Sequence, residues 1–434
     1  MSVPIKIYCI DPTPRHDYIF TLFFEQLLGT TYVYVEFLVG SHLNYSNESS
    51  TTLSCIPQGI LSESNLRERI KEQIEFKPWG DSHSFFHTGD GALPFDIFSA
   101  AFYLVSRYEE WLPYEADAHN RFPAEASVLT QNNLLDEPMV NQWAILLKEF
   151  LLKQDADLLF HESTFSYVST IDVDMAWKYQ HKGIVRNTLG ACKDLLTGKW
   201  TDVKERLQVL LGSTPDPFET FGWQHALHKK YDVDCHYFVL LGDHGKYDKN
   251  TSHTNKAFRK RITELNTILQ SNVGIHPSYA SNDSPEKVAI EIARLADIVG
   301  DSPTTSRQHF LMHQMPNTYD TLVANGIQVD HTMGYSTHLG FRAGIASPFF
   351  WFDFRNNKAS NICLVPFCAM DITPMHYMGQ NEKEAITTLC MLVDKVKAVN
   401  GKYVSLWHND SLSKDGRWRG WRTVYEEVIK YIKT

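Results

Sequence analysis

Asp172 and Asp174 stand two residues apart at the end of an apolar run, Phe165–Ile171. Residues i and i+2 of a strand face the same side, so both carboxylates can enter one pocket. There, one can ligate a metal and the other can take a proton. The plain alternative is an Asp-rich turn that caps the next helix. His276 follows Val273-Gly274-Ile275 and precedes Pro277, so its strand stops abruptly and leaves the imidazole at the rim. Asp243-His244, His309 with His313, Asp330-His331, Asp371 and His408-Asn409-Asp410 also lie in or just after short apolar runs. Polar residues commonly follow strands. Asp or His at seven strand ends nevertheless points to the mouth of a metal hydrolase. Imidazole and carboxylate are the usual ligands of a catalytic zinc, with three protein groups and a water.

The elements that must position these residues alternate along the chain. From about Phe165 onward the expected strands are Phe165–Ile171, His236–Leu241, Val273–Ile275, His309–Met312, Ile327–Val329, Ile362–Phe367 and Tyr403–Trp407. Helical patterns fall between most of them. Ser284 is a good N-cap, Pro285 suits the first helical position and Gly300 closes the end. Between them Val288, Ile292, Leu295 and Val299 recur at helical spacing. Alternating βα units imply a parallel sheet with right-handed crossovers. Seven units imply a (β/α)7 barrel, whose active site lies where the strands end. Lys178–Phe218 reads as an insertion after the first strand.

The preceding residues read as a smaller mixed α/β domain. The expected division is 1–157 and 158–434. Ile5–Ile10 and Tyr32–Phe37 are short strands, and Ile97–Trp111 and Val140–Lys153 are helices with wide apolar faces. No recognisable chemistry gathers in this part.

Composition sets outer limits. Over 434 residues, 43% are hydrophobic and 21% charged, which fits a globular chain and excludes whole-chain disorder or coiled coil. The net charge of −10 argues against a nucleic-acid binder that works by neutralising phosphates. Seven cysteines without a Cys-x-x-Cys fit reduced thiols better than a disulfide framework. No stretch has the ~18 apolar residues of a membrane span, and no secretory signal is legible at the N-terminus. A cytoplasmic location is therefore expected.

Four motifs, in order, resemble those of the polysaccharide deacetylases of the NodB-homology type, carbohydrate esterase family 4. Thr-Phe-Asp-Asp of that family is matched by Thr170-Ile171-Asp172-Val173-Asp174. His-(Ser/Thr)-x-x-His is matched by His276-Pro277-Ser278-Tyr279-Ala280. The arginine motif is matched by Ser306-Arg307-Gln308-His309, and Leu-x-His by Leu406-Trp407-His408. The wider wording, with Asp330–Tyr335 and Gly340–Gly344, is similar to a divergent bacterial branch that carries an extra N-terminal domain. The resemblance implies a hydrolase of carbon–nitrogen bonds other than peptide bonds, acting on an acetylated carbohydrate with a divalent metal, zinc above all. It implies Asp172 as general base, His408 as general acid and Arg307 as the residue that orients the base. It implies His276 as a metal ligand. Val173 stands where the family has its metal-binding Asp, and Asp174 is the natural substitute. Ala280 stands where the family has its second histidine, and His309 is the replacement expected here.

Tyr335, Arg342, Asp330 and Trp407 are expected to line the substrate groove, where sugars stack on aromatic faces. Two other classes compete. Asp172-Val173-Asp174 is also an Asp-x-Asp, the metal signature of many nucleotide-sugar glycosyltransferases, but that class needs an open nucleotide-binding sheet upstream, and the acidic pair here begins the barrel-like region instead. The missing second histidine also fits a carbohydrate-binding relative that has lost catalysis. A chitinase-like reading fails because Met175 and Ala176, not a catalytic Glu, follow the acidic pair.

Overall fold

The strand Ser166–Val173 is buried along nearly its whole length, as a strand covered on both faces must be. In this computed structural model it is an interior strand of the larger sheet, third from one edge. The structure describes residues 3–89, 93–161, 163–267, 269 and 271–434.

Six strands belong to the N-terminal part: β1 (Ile5–Cys9), β2 (Tyr32–Val35), β3 (Leu43–Tyr45), β4 (Leu53–Ser54), β5 (Lys77–Trp79) and β6 (Ser82–Ser84). The first four form a parallel sheet in the order β2-β1-β3-β4, and β5 and β6 form an antiparallel pair. The remaining strands are β7 (Ser166–Val173), β8 (Asp234–Val239), β9 (Asn272–Ile275), β10 (Thr305–Ser306), β11 (Val329–Asp330), β12 (Phe349–Asp353), β13 (Lys358–Leu364), β14 (Ala369–Met370) and β15 (Lys402–His408). They make one nine-stranded sheet in the order β12-β13-β11-β10-β9-β8-β7-β15-β14. Every pairing in it is parallel except β12 with β13.

The sheet is strongly curled. In a flat sheet β13 and β15, six strand positions apart, would lie roughly 29 Å from each other. Instead Val365 and Phe367, just past β13, pack in one apolar cluster with Val404 and Leu406 of β15. One extended stretch serves both ends of the sheet. Cys363 and Leu364 pair with β11, and Val365 N donates to Asp330 O at 2.9 Å. A few residues later Cys368 N donates to Val404 O, and Ala369 and Met370 pair with β15. The result is barrel-like, and the ends of the parallel strands face a common mouth.

One expected strand is misplaced. His309–Met312 was read as the fourth strand, but the strand there is Thr305–Ser306, and His309–Leu311 is a 3-10 turn. Its apolar residues imitate a strand, yet Phe310 and Leu311 have φ of 58° and 51°, which no strand admits. The helix Pro285–Val299 forms as expected and ends at Gly300 with φ 94°. Ser284 precedes it without a side-chain capping bond, because its hydroxyl bonds Glu286 instead. The expected helix Ile97–Trp111 ends at Val105, and Arg107 takes a left-handed φ of 55° before a 3-10 turn. Residues 178–218 hold a two-helix hairpin, Gly183–Leu196 and Trp200–Leu210.

The two parts share one continuous apolar core. The helix Ile97–Val105 is buried on all sides, as its unbroken apolar sequence requires. Phe98 packs on Phe20, Phe23 and Tyr45, while Phe102 packs on Phe352 and Phe354 of the β12 region. A buried ion cluster lies beside this contact. Glu110 binds Arg342 with both oxygens, at 2.9 and 2.7 Å, and also accepts from Arg107 Nε at 2.8 Å. Arg107 in turn donates to the Arg342 carbonyl and to Glu109. Burial works against the Glu110 charge, but Arg342 and Arg107 outweigh it and hold its carboxyl down at about 2. Removing one member of such a cluster leaves its partners charged and dry. Glu110→Ala is therefore expected to cost about 3–5 kcal/mol. Urea unfolding measures it, and an unchanged midpoint would show that the cluster does not join the two parts.

Candidate functional site

Asp172 ends the buried face of β7, and Asp174 is the first residue after it. His276 follows β9, Arg307 and His309 follow β10, and His408 closes β15. These six side chains come from four strand ends and meet at the mouth of the curled sheet. His276 Nε2 lies 3.3 Å from Asp174 Oδ1 and 3.6 Å from Asp172 Oδ2. His309 Nε2 lies 3.5 Å from Asp174 Oδ2, and His408 Nε2 lies 3.9 Å from the same oxygen. Five of the six line a cavity of about 340 Å³; Arg307 stands behind them.

The ring nitrogens that point away from the cavity are all taken. His276 Nδ1 donates to the Arg307 carbonyl at 2.5 Å. A carbonyl only accepts, so Nδ1 carries a proton, and Nε2 faces Asp174. His309 Nδ1 lies 2.9 Å from Asp248 Oδ1, which holds a proton on Nδ1 and turns Nε2 to the cavity. His408 Nδ1 lies 3.1 Å from both oxygens of Asp371. Asp248 is itself held by the backbone N–H groups of Tyr279 and Ala280. Arg307 NH1 donates to Asp172 Oδ1 at 3.0 Å, and its guanidinium lies 4.7 Å above the Phe238 ring.

Asp174, His276 and His309 offer donor atoms that all lie within 4.8 Å of one another. Tetrahedral ligands at 2.0–2.1 Å from a zinc stand about 3.3 Å apart, close to the two measured Asp174–histidine separations. Asp174 Oδ1 is buried without a hydrogen-bond partner. A cation fits this donor set: one anionic oxygen, two imidazole nitrogens with their far sides anchored, and a buried lone pair with nothing to meet it.

The charges respond to this crowding. Burial works against ionisation of Asp174, but His309, His276 and His408 hold its carboxyl well below the usual range. Burial works against the His309 cation too, yet Asp174 and Asp248 raise its imidazole to about 9. His408 is raised well above 6.5 because Asp371, then Asp174 and Asp172, outweigh its burial. Burial pushes Asp410, at the same rim, up to about 6.

The four residues expected to bind substrate do not line this cavity. Asp330 is wholly buried, its carboxylate engaged by Ser306 and Thr332. Trp407 alternates away from the inner face on β15 and packs on Tyr425 of the last helix. Tyr335 and Arg342 are buried beside Glu110 and border a neighbouring cavity of about 210 Å³. The walls are instead His119 and Arg121 from the N-terminal part, with Phe310, Tyr377, Arg417 and Trp418. Arg121 reaches across to the Phe310 carbonyl and pairs with Asp117 at 2.7 Å. Sequence reasoning passed over His119, Arg121 and Asp248, which all stand in irregular segments without periodicity or motif.

Residues 5–156 match a family model described as "Family of unknown function (DUF7033)". No curated protein matches the chain. Among solved structures, similarity extends to Puue allantoinase, with 12% identity over 62% of this chain and 84% of that one, at a TM-score of 0.39. It extends to the polysaccharide deacetylase Bc1974 from Bacillus cereus, with 13% identity over 62% and 87%, at 0.30. It extends also to a 4-alpha-glucanotransferase from Thermococcus litoralis, with 12% identity over 63% and 38%, at 0.36.

The Asp371 carboxylate is what keeps His408 charged. In the metal-free protein at pH 7 its ring is expected to be the imidazolium. Asp371→Asn removes the main opposing charge while burial remains, so the His408 titration moves down. Imidazole nitrogen NMR shifts followed against pH read this directly. An identical titration in both proteins would remove Asp371 from the account.

Proposed function

We propose that the protein is a metal-dependent hydrolase that removes an acetyl group from a carbohydrate, from nitrogen foremost and from oxygen by the same chemistry. In this reading residues 158–434 are the catalytic (β/α)7 unit, and 1–157 form a smaller domain that contributes to the cavity wall. The observation that carries it is the convergence of Asp172, Asp174, His276, His309 and His408 on one cavity, each histidine with its outer nitrogen anchored. The resemblance of the four motifs supplies the substrate class.

Asp174, His276 and His309 would hold the metal, zinc above all. A divalent ion there supplies Lewis-acid polarisation of the acetyl carbonyl and makes water acidic enough to attack near neutral pH. The chain's own groups do the rest. Asp172 has one oxygen fixed by Arg307, and its other oxygen takes the proton of the attacking water. Arg307 keeps that carboxylate aimed. His408, charged by virtue of Asp371, gives its proton to the departing amine or alkoxide. Trp418 and Tyr377 offer flat faces to a sugar ring.

Acetate release from acetylated sugars, with and without added zinc, tests the reading. Asp172→Asn is expected to keep its metal and lose about 10²–10⁴-fold in rate, because an amide cannot accept the proton. His408→Ala is expected to slow amides more than activated esters, whose leaving groups need little protonation. Asp174→Asn or His276→Ala is expected to lose metal and activity together. Full activity in Asp172→Asn would refute the assigned base. A parent that holds stoichiometric zinc and releases no acetate from any acetylated glycan would leave a carbohydrate-binding protein.

Asp248 is tested separately, through the metal alone. It touches neither substrate nor ion but orients His309. Asp248→Ala is expected to weaken zinc binding 10–100-fold in calorimetry while Asp174 and His276 stay in place. Unaltered affinity would mean that His309 needs no anchoring or is not a ligand.

A further inference from the structure

The hairpin Gly183–Leu196 and Trp200–Leu210 is built inside out. Each helix of a water-soluble protein ordinarily turns its apolar face to a core and its polar face to solvent. Here the polar groups lie between the helices. Arg206 donates to Asp194 at 2.7 Å and to Asn187 at 3.0 Å, and its guanidinium lies 4.6 Å from the Tyr179 ring. Asn187 and Val209 are the buried residues of the two helices. The large apolar side chains point outward. Ile184, Leu196 and Leu211 are 85%, 89% and 81% exposed, and Val185, Leu189 and Trp200 are exposed beside them. At 100° per residue, Ile184, Val185, Leu189 and Leu196 fall within one arc of the first helix.

The charges of the hairpin are sorted as well. Its three acids, Asp194, Asp202 and Glu205, are half-buried, and each faces Arg206 or Lys178. The exposed charges between Lys182 and Gly212 are Lys193, Lys199 and Lys204, and none has an ion-pair partner among the described residues. In a chain of net charge −10 this is a local cationic surface around an apolar face. A symmetric second copy would bring like lysines together, whereas a negatively charged lipid surface satisfies both features. We infer that this hairpin docks onto an anionic lipid bilayer, its Leu and Trp side chains entering the interface and its lysines meeting the headgroups. Helices with apolar and Trp side chains on one face and lysines at its border lie in such interfaces.

The hairpin is not a loose appendage. Lys178 at its base bonds Glu205 at 2.8 Å and also Asp415, two residues before Arg417 of the cavity wall. Docking therefore places the cavity beside the lipid surface. The inference stands on the hairpin alone and needs no hydrolase activity.

Sedimentation of the full chain with vesicles tests it, using phosphatidylcholine alone and phosphatidylcholine mixed with phosphatidylglycerol. Tight binding to the mixed vesicles only, weakened by salt, is the expected result. Each lysine near an anionic surface contributes roughly fivefold, so Lys193→Glu with Lys199→Glu and Lys204→Glu is expected to weaken binding by about 100-fold or more. Leu196→Ser with Trp200→Ser is expected to abolish it. These side chains are exposed, so the parent's thermal unfolding should be kept. A measurement on the parent sequence guards against a variant that misfolds. Cys192 is the one exposed thiol among the described residues, and it lies on the apolar arc of the first helix. An environment-sensitive dye on it should shift to the blue with the mixed vesicles. No dye shift, equal binding to both vesicles, or a parent dimer that Leu196→Ser with Trp200→Ser makes monomeric would each overturn the inference.

Discussion

Arg307 is completely buried, and the rest of the site leans on it. Its guanidinium holds Asp172 on β7 and donates to the His331 carbonyl beyond β11. Its own carbonyl fixes the tautomer of His276. Its backbone N–H continues the sheet by bonding Ile275 O. A cation in such a place is tolerable only because a carboxylate meets it and the rings of Phe238 and Phe367 lie 4.7 and 5.6 Å from it. The pair also explains the curl. β10 and β7 are three positions apart, and the Arg–Asp contact exists only if the sheet bends inward. One buried arginine thus links the shape of the sheet to the aim of two side chains at its mouth. A lysine could not replace the arginine, because a single ammonium cannot bond carboxylate and carbonyl in two fixed directions.

The strand-end chemistry was legible in the residue types because the physics there is local. A parallel strand buried on both faces reads as an apolar run, and a polar residue at its end marks the mouth. Asp172, Asp174, His276 and His408 are all of this kind. His309 reaches the cavity, but from a different element than the one expected. It was placed on a strand sharing a face with Arg307, whereas it sits in a left-handed turn that follows a two-residue strand. The turn brings it to the same cavity by a route that apolar alternation could not reveal. Asp248 was invisible. It stands in an irregular stretch, and only the folding of that stretch against Tyr279 and Ala280 gives it a place behind His309.

The residues expected to bind substrate lie away from the cavity for a related reason. Tyr335, Arg342, Asp330 and Trp407 have the right chemistry for binding a sugar, but residue type does not say which way a side chain points. A one-residue change of position along a strand exchanges inside for outside. Trp407 precedes His408, so when His408 faces the mouth Trp407 faces the helices. Arg342 was claimed by Glu110, a residue more than two hundred positions earlier, and no local pattern announces such a pair. The walls of the cavity come instead from His119 and Arg121, in the part of the chain where no chemistry was expected. Long-range pairing decides both outcomes.

The N-terminal part and the helical hairpin show two ways of attaching chain to a curled sheet, and the energetics separate them. The N-terminal part shares a continuous apolar core with β12 and β13 and is locked by the Glu110 cluster. Gly340 marks how close the backbones come. Its φ is 122°, a Cβ would lie 2.3 Å from the Leu135 carbonyl, and the next residue, Phe341, donates its N–H to that carbonyl. No side chain fits between them. The hairpin has no comparable core with the sheet. It is held at its base by Lys178 and by Asp216, whose carboxylate accepts from the N–H groups of Lys178, Tyr179 and Gln180. Its apolar surface is turned away from the protein. Apolar area left in water contributes nothing to folding, at about 25 cal/mol for each Å² that could have been buried. A sequence that leaves this much exposed on one face, while spending its ion pairs inside, is shaped by contact with something other than its own core.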